Sequence, residues 1–142
     1  MPVYDPEFFN EKCRENNLKV TPQRVAIYKE LLKSIDHPNA EAIHSKLKKI
    51  FPNISLDTVN RNLLALYKVG IIDTVLGFGE PKRYDGNQTP HHHFRCIKCN
   101  KLFDLFNIRT NNTPVPKEVK KDFIILKQKV YFEGLCKPCN EL

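Results

Sequence analysis

The chain has 142 residues, 41% hydrophobic and 27% charged, with a net charge of +7, which describes a soluble globular protein of about one domain or of two small lobes. No apolar run approaches the ~18 residues that span a bilayer, and the N-terminus lacks a basic-then-apolar signal pattern. A cytoplasmic location is therefore expected, where thiols stay reduced and a Cys-x-x-Cys pair reads as a metal or redox site rather than a disulfide.

Residues 5–16 read as a first helix, with Phe9 and Cys13 at i and i+4 on an apolar face that Phe8 flanks. Cys13 has no partner cysteine nearby and reads as a small buried hydrophobe. Thr21 and Pro22 open a second helix as N-cap and first helical residue, and it runs to about Ser34. Asp36-His37-Pro38-Asn39 is a turn, because a residue before proline is steered away from helical dihedrals. A third helix is expected over Ala40–Phe51, with Ala40, Ile43, Leu47 and Ile50 inward and His44 on the surface. Pro52-Asn53 ends it, and Ser55 caps a fourth helix that runs to about Val69 and stops at Gly70.

On the fourth helix Leu56, Val59, Leu63, Leu66 and Gly70 share one side, while Asp57, Arg61, Leu64 and Lys68 point the other way. After it, Ile71–Leu76 and Pro81–Tyr84 read as two strands around the turn Gly77–Glu80. Three helices, the last with polar residues on its first turns, followed by a wing, suggest a recognition helix for the DNA major groove. An ordinary amphipathic helix with a solvated face and a covering hairpin accounts for the same pattern.

Residues 85–90 form a linker between a domain at 1–84 and one at 91–142. In the second, Phe94–Cys99, Lys101–Asn107 and Ile124–Phe132 read as strands, with a turn at Asn100, a Pro- and Asn-rich loop at 110–116 and a short helix near Lys117–Asp122. This lobe is small for an independent core, so a metal, a partner subunit or both are needed to hold it.

Cys96, Cys99, Cys136 and Cys139 form two identical Cys-x-x-Cys knuckles separated by 36 residues. Together they suit a closed tetrahedral zinc site of four thiolates, whose role is structural because no ligand position stays open. Asp104 lies in the apolar strand Leu102-Phe103-Asp104-Leu105-Phe106. A carboxylate there needs a cation, a backbone turn or an exposed strand face. His91 and His93 alternate, so on an extended segment both rings face one way and His92 the other. His91 and His93 are the candidate ligands and His92 is not. Asp85, at the start of the same linker, is a candidate ligand or a turn acid.

Thr-Pro-Gln-Arg (21–24), His-Pro-x-Ala (37–40), Ser-x-x-Thr-Val-x-Arg-x-Leu (55–63), the His-x-His before Cys-x-x-Cys (91–99) and the final Cys-x-x-Cys (136–139) occur in order along nearly the whole chain. Together they resemble the ferric uptake regulator family of metal-dependent repressors. The resemblance implies an α+β architecture: an N-terminal winged helix-turn-helix domain followed by a small α/β dimerisation domain with the four-cysteine zinc. It also implies a regulatory Fe2+ or Mn2+ site made by His37, Asp85, His91, His93 and Asp104. The partners implied are a second copy of the chain and double-stranded DNA with a palindromic operator, contacted through Asp57, Thr58, Asn60, Arg61 and Lys68.

An Asp at position 104 resembles the peroxide-sensing branch, which implies hydrogen peroxide as signal and His37 and His91 as the ligand rings it oxidises when iron is bound. The remaining readings are a regulator of iron or zinc level without peroxide sensing, a mononuclear iron enzyme at the His/Asp site, and a thiol sensor at the cysteines. An enzyme is not expected, because nothing else in the chain supplies a substrate pocket or a general base. Two departures from the family stand out. Its additional metal site is absent, with Pro90 and His92 around the His-x-His and Lys127, Gln128 and Lys129 on the late strand. Asn60 replaces the usual Tyr of the recognition helix, so an aromatic contact gives way to an amide able to pair with adenine.

Overall fold

The structure is a computed structural model that describes residues 3–34, 36–75, 82–87, 91–106, 114–125 and 128–141. It divides into two compact units, Met1–Gln88 and Thr89–Leu142. Among the described residues no helix is long and apolar enough to cross a membrane.

Among its described residues the first unit holds four helices, α1 (Pro6–Glu15), α2 (Pro22–Lys33), α3 (Ala40–Leu47) and α4 (Leu56–Lys68). Each begins on a residue whose side chain satisfies N–H groups the first turn cannot bond itself: Asp5, Thr21, Asn39 and Ser55 accept from the backbone two or three residues on. Two helices end in the left-handed reversal that recaptures their last carbonyls. In α1 the Asn17 (φ 55°) and Leu18 N–H groups donate to Arg14 and Cys13. In α4 the N–H groups of Gly70 (φ 82°) and Ile71 donate to Tyr67 and Leu66.

These ends aim the apolar faces at one core, built from Phe9, Ile27, Leu31, Ile43, Leu47, Val59, Leu63, Leu66 and Ile71 among others. Cys13 lies in it, fully buried. The third helix is shorter than expected and Ile50 does not face inward. The chain turns after Leu47, whose carbonyl accepts from both Ile50 and Phe51, leaving Ile50 64% exposed and packing Phe51 on the core instead. His44 is also misjudged as a surface residue: it is half-buried and donates Nε2–H to the Ile54 carbonyl at 2.9 Å, tying α3 to the entry of α4.

The wing strands are β1 (Asp73–Val75) and β2 (Arg83–Asp85), antiparallel with Thr74 opposite Tyr84. Both start later than expected, since Ile71 and Ile72 belong to the core, and the expected turn Gly77–Glu80 lies outside the described residues. Asp85 is therefore a strand residue rather than the first residue of a linker. The Tyr84 N–H donates to the Pro38 carbonyl and Asn39 bridges Arg83, which fastens the His37-Pro38 turn to β2.

Among its described residues the second unit is a three-stranded sheet in the order β4 (Leu102–Leu105), β3 (His92–Cys96), β5 (Tyr131–Gly134), with two short helices, α5 (Lys117–Asp122) and α6 (Lys137–Asn140). β3 pairs antiparallel with β4 and parallel with β5. It starts and stops earlier than the expected Phe94–Cys99 because the Asn100 N–H donates to the Cys96 carbonyl, folding 97–99 into a turn. β5 departs furthest from expectation, lying at 131–134 rather than 124–132. Ile124 is 89% exposed, and residues 126–127 lie outside the described set, as do 107–113.

Candidate metal centres and nucleic-acid interface

The β3–β4 turn carries Cys96 and Cys99, and the start of α6 carries Cys136 and Cys139. Parallel pairing of Cys96 with Gly134 brings the two knuckles together. The four sulfurs lie within 4.8 Å of one another, with Cys99 and Cys136 3.8 Å apart. As bare thiols they do not ionise alike. The backbone N–H groups of Cys99 and then Cys136 hold the Cys96 thiol down to about 6, whereas the neighbouring Cys136 side chain, followed by burial, pushes Cys139 up to about 12. Four adjacent thiolates near neutral pH thus require a cation among them, and an all-sulfur tetrahedral set fits zinc.

Nitrogen and oxygen donors gather elsewhere. In the second unit His93 and Asp104 are cross-strand partners on β3 and β4, and His91 stands just before β3. His93 Nε2 is 3.3 Å and His91 Nε2 3.7 Å from Asp104 Oδ1, with the two imidazole rings 4.7 Å apart. His93 is almost fully buried and stacks on Tyr131, and His91 packs on Phe106. His92 turns to the other face, where its Nδ1 accepts the Val130 N–H at 3.0 Å and joins β3 to the approach of β5. In the first unit His37, held at φ 52°, places Nε2 3.5 Å from Asp85 Oδ2, and both side chains are buried. These separations exceed an ordinary N–H···O hydrogen bond. They match the roughly 3–3.7 Å that donors keep around one cation when each bond is ~2.1 Å. Imidazole and carboxylate together suit Fe2+, Mn2+ or Zn2+.

On α4 Asp57, Asn60, Arg61 and Lys68 are exposed and Thr58 is half-buried. Asp57 and Arg61 hold each other at 2.9 Å, a pair worth little in water. Composition and periodicity did not single out Arg24 and Asn62, which bond across 38 residues. Asn62 signals itself only as a polar residue on the apolar side of α4.

The sequence profile described as "Ferric uptake regulator family" matches residues 15–133. The chain belongs to the ferric uptake regulator family. Among relatives, the peroxide-responsive repressor PerR of Staphylococcus epidermidis is 32% identical over 128 residues, covering 90% of this chain and 85% of the relative. That of Staphylococcus aureus is 31% identical with 90% and 86% covered. Solved structures agree in fold. The ferric uptake regulator of Helicobacter pylori superposes with a TM-score of 0.73 at 24% identity over 96% of this chain and 91% of its own. That of Francisella tularensis with iron gives 0.67 at 28% over 87% and 95%, and the peroxide-sensing PerR of Streptococcus pyogenes 0.53 at 28% over 94% and 91%. As a member of the family the chain is a transcriptional regulator of the metal-responsive repressor type, not an enzyme.

Proposed function

We propose that this protein is a homodimeric, metal-dependent DNA-binding repressor that reports hydrogen peroxide by oxidation of a histidine at its regulatory metal. Zinc fills the four-cysteine centre and stabilises the second unit. The observation that carries the reading is the separate donor set of imidazoles and carboxylates, His91 and His93 facing Asp104 and His37 facing Asp85. His37, Asp85, His91, His93 and Asp104 would together hold Fe2+ or Mn2+, and the form of the protein in which they do so would be favoured by the ion's differential affinity for it. In that state a two-fold dimer presents two α4 helices to a palindromic operator, with Asp57, Thr58, Asn60, Arg61 and Lys68 at bases and phosphates.

Ferrous iron held there would relay electrons from an imidazole to peroxide: one oxygen of H2O2 would leave as water and the other would end on a ring carbon, the ring giving up two electrons net. His37 and His91 are the rings proposed to be oxidised. An oxidised imidazole is a poor donor, so its loss loosens the donor set and the operator is released. Support comes from Asp at position 104 and from relatives named as peroxide-responsive at 32% and 31% identity.

Intact-mass and peptide analysis of the iron-loaded protein after stoichiometric H2O2 tests this. Added oxygen on His37 or His91 with loss of DNA binding is expected, and the manganese form keeps both mass and DNA binding. An unmodified iron form that stays on DNA overturns the peroxide reading. A second reading, a regulator of metal level alone, has its support in the fold shared with the Francisella tularensis regulator solved with iron. It predicts DNA release on chelation but not on peroxide.

A further inference from the structure

Among the described residues, one side-chain hydrogen bond ties α4 to α2 in an otherwise apolar interface. Asn62, 8% exposed, sits on the buried side of α4 between Val59 and Leu63. A buried amide must find partners on both its ends. Its Nδ2 donates to the Thr58 carbonyl one turn back, and its Oδ1 accepts Nε–H from Arg24 at 2.9 Å. The same guanidinium donates through Nη1 to the Lys19 carbonyl at 2.6 Å. Arg24 stands on the first turn of α2, where its own N–H is held by the Thr21 cap.

The planar fork of arginine fixes direction as well as distance. Apolar contacts such as those of Val59, Leu63 and Leu66 resist separation but permit small rotations and slides. The Arg24–Asn62 bond permits neither without breaking a charge-assisted hydrogen bond. Thr58, Asn60 and Arg61 all lie within one turn of Asn62, so a rotation at Asn62 re-aims each of them.

We infer that Arg24 is a positioning residue for operator readout, setting the rotation of α4 through Asn62 without itself touching DNA. This rests on the DNA-binding repressor reading.

The test uses the full-length, zinc- and manganese-loaded protein and two duplexes. One is enriched by the wild-type protein from a random-sequence library, and the other is a scramble of the same composition. Affinity is measured against salt, with far-UV circular dichroism confirming the fold of every variant. Asn62→Leu and Arg24→Met each lower the preference for the enriched duplex about tenfold, as expected for a lost hydrogen bond to a charged group, and leave the salt slope unchanged. Asn62→Asp keeps the acceptor for Arg24 while losing the intrahelical donor to Thr58, and so retains more of the preference than Asn62→Leu. Arg24→Lys keeps charge without the fork and loses preference as Arg24→Met does, which covers the case in which the latter fails to fold. A salt slope reduced by about 0.9 in Arg24→Met marks a phosphate contact and overturns the proposal, as does an undiminished preference in Asn62→Leu. A wild-type protein that enriches no sequence removes the repressor reading and the proposal together.

Discussion

The two units are stabilised by different physics. The first buries a continuous cluster from Phe9 to Tyr84, with capped helices delivering one apolar face each. In the second, among the described residues, Cys96 is the only buried residue of hydrophobic type, and the other buried residues are His92 and His93. Meanwhile Phe103, Phe123, Ile124, Phe132 and Leu135 remain exposed. A lobe of this size with its aromatics outside cannot be held by apolar burial within one chain. On the proposed function, its fold depends on sulfur–metal bonds and on a second copy of the chain.

The largest expected effect therefore separates the units. Removing the proposed zinc by chelation, or substituting Cys96→Ser, abolishes the folded second unit, because metal binding and folding are one equilibrium in such sites. The helical transition of the first unit persists in calorimetry. A single joint transition lost on chelation would break the contrast. Next, Leu63→Ala, at a fully buried position, destabilises the first unit by about 2–5 kcal/mol in denaturant titration while zinc content is unchanged. Gly70→Ala is smaller. A Cβ there meets nothing within 4 Å, so the cost is the left-handed backbone alone, about 1–2 kcal/mol. The smallest effect is on alkaline stability. Burial, then Asp5 and Tyr4, pushes the Tyr28 hydroxyl up to about 12 from an ordinary value near 10. The folded state then holds a proton that the unfolded chain releases, so stability is intact below pH 10 and falls as pH rises toward 12. Tyr28→Phe falls less steeply over that window in pH-dependent unfolding.

Local signals account for most of what the sequence reveals of the first unit. Thr21-Pro22, Ser55 and Gly70 act on their own neighbours, and the structure places caps and stops at them. Ile50 misleads because helical spacing continues past a point where Leu47 already ends the helix. β5 escapes prediction for a different reason. Apolar residues run from Phe123 onward, and only pairing with β3, far back in the chain, selects Tyr131–Gly134 as the strand. The four-residue α6 is too short to show a period. The cysteine knuckles are legible because their spacing is the chemistry. The facing of His93 and Asp104 is less so, because it depends on the register of β3 against β4. Arg24 and Asn62 are polar residues whose meaning arises only when α2 and α4 meet.

β3 carries His93 near one end and Cys96 at the other, only three residues on. With zinc as the clamp on the cysteine end, the order of assembly is constrained. On the proposed function the tetrahedral ion would arrive first, since it would hold the strand that shapes the second donor set. Chains made under zinc scarcity would then be deaf to every other cue, however much iron or manganese the cell contained.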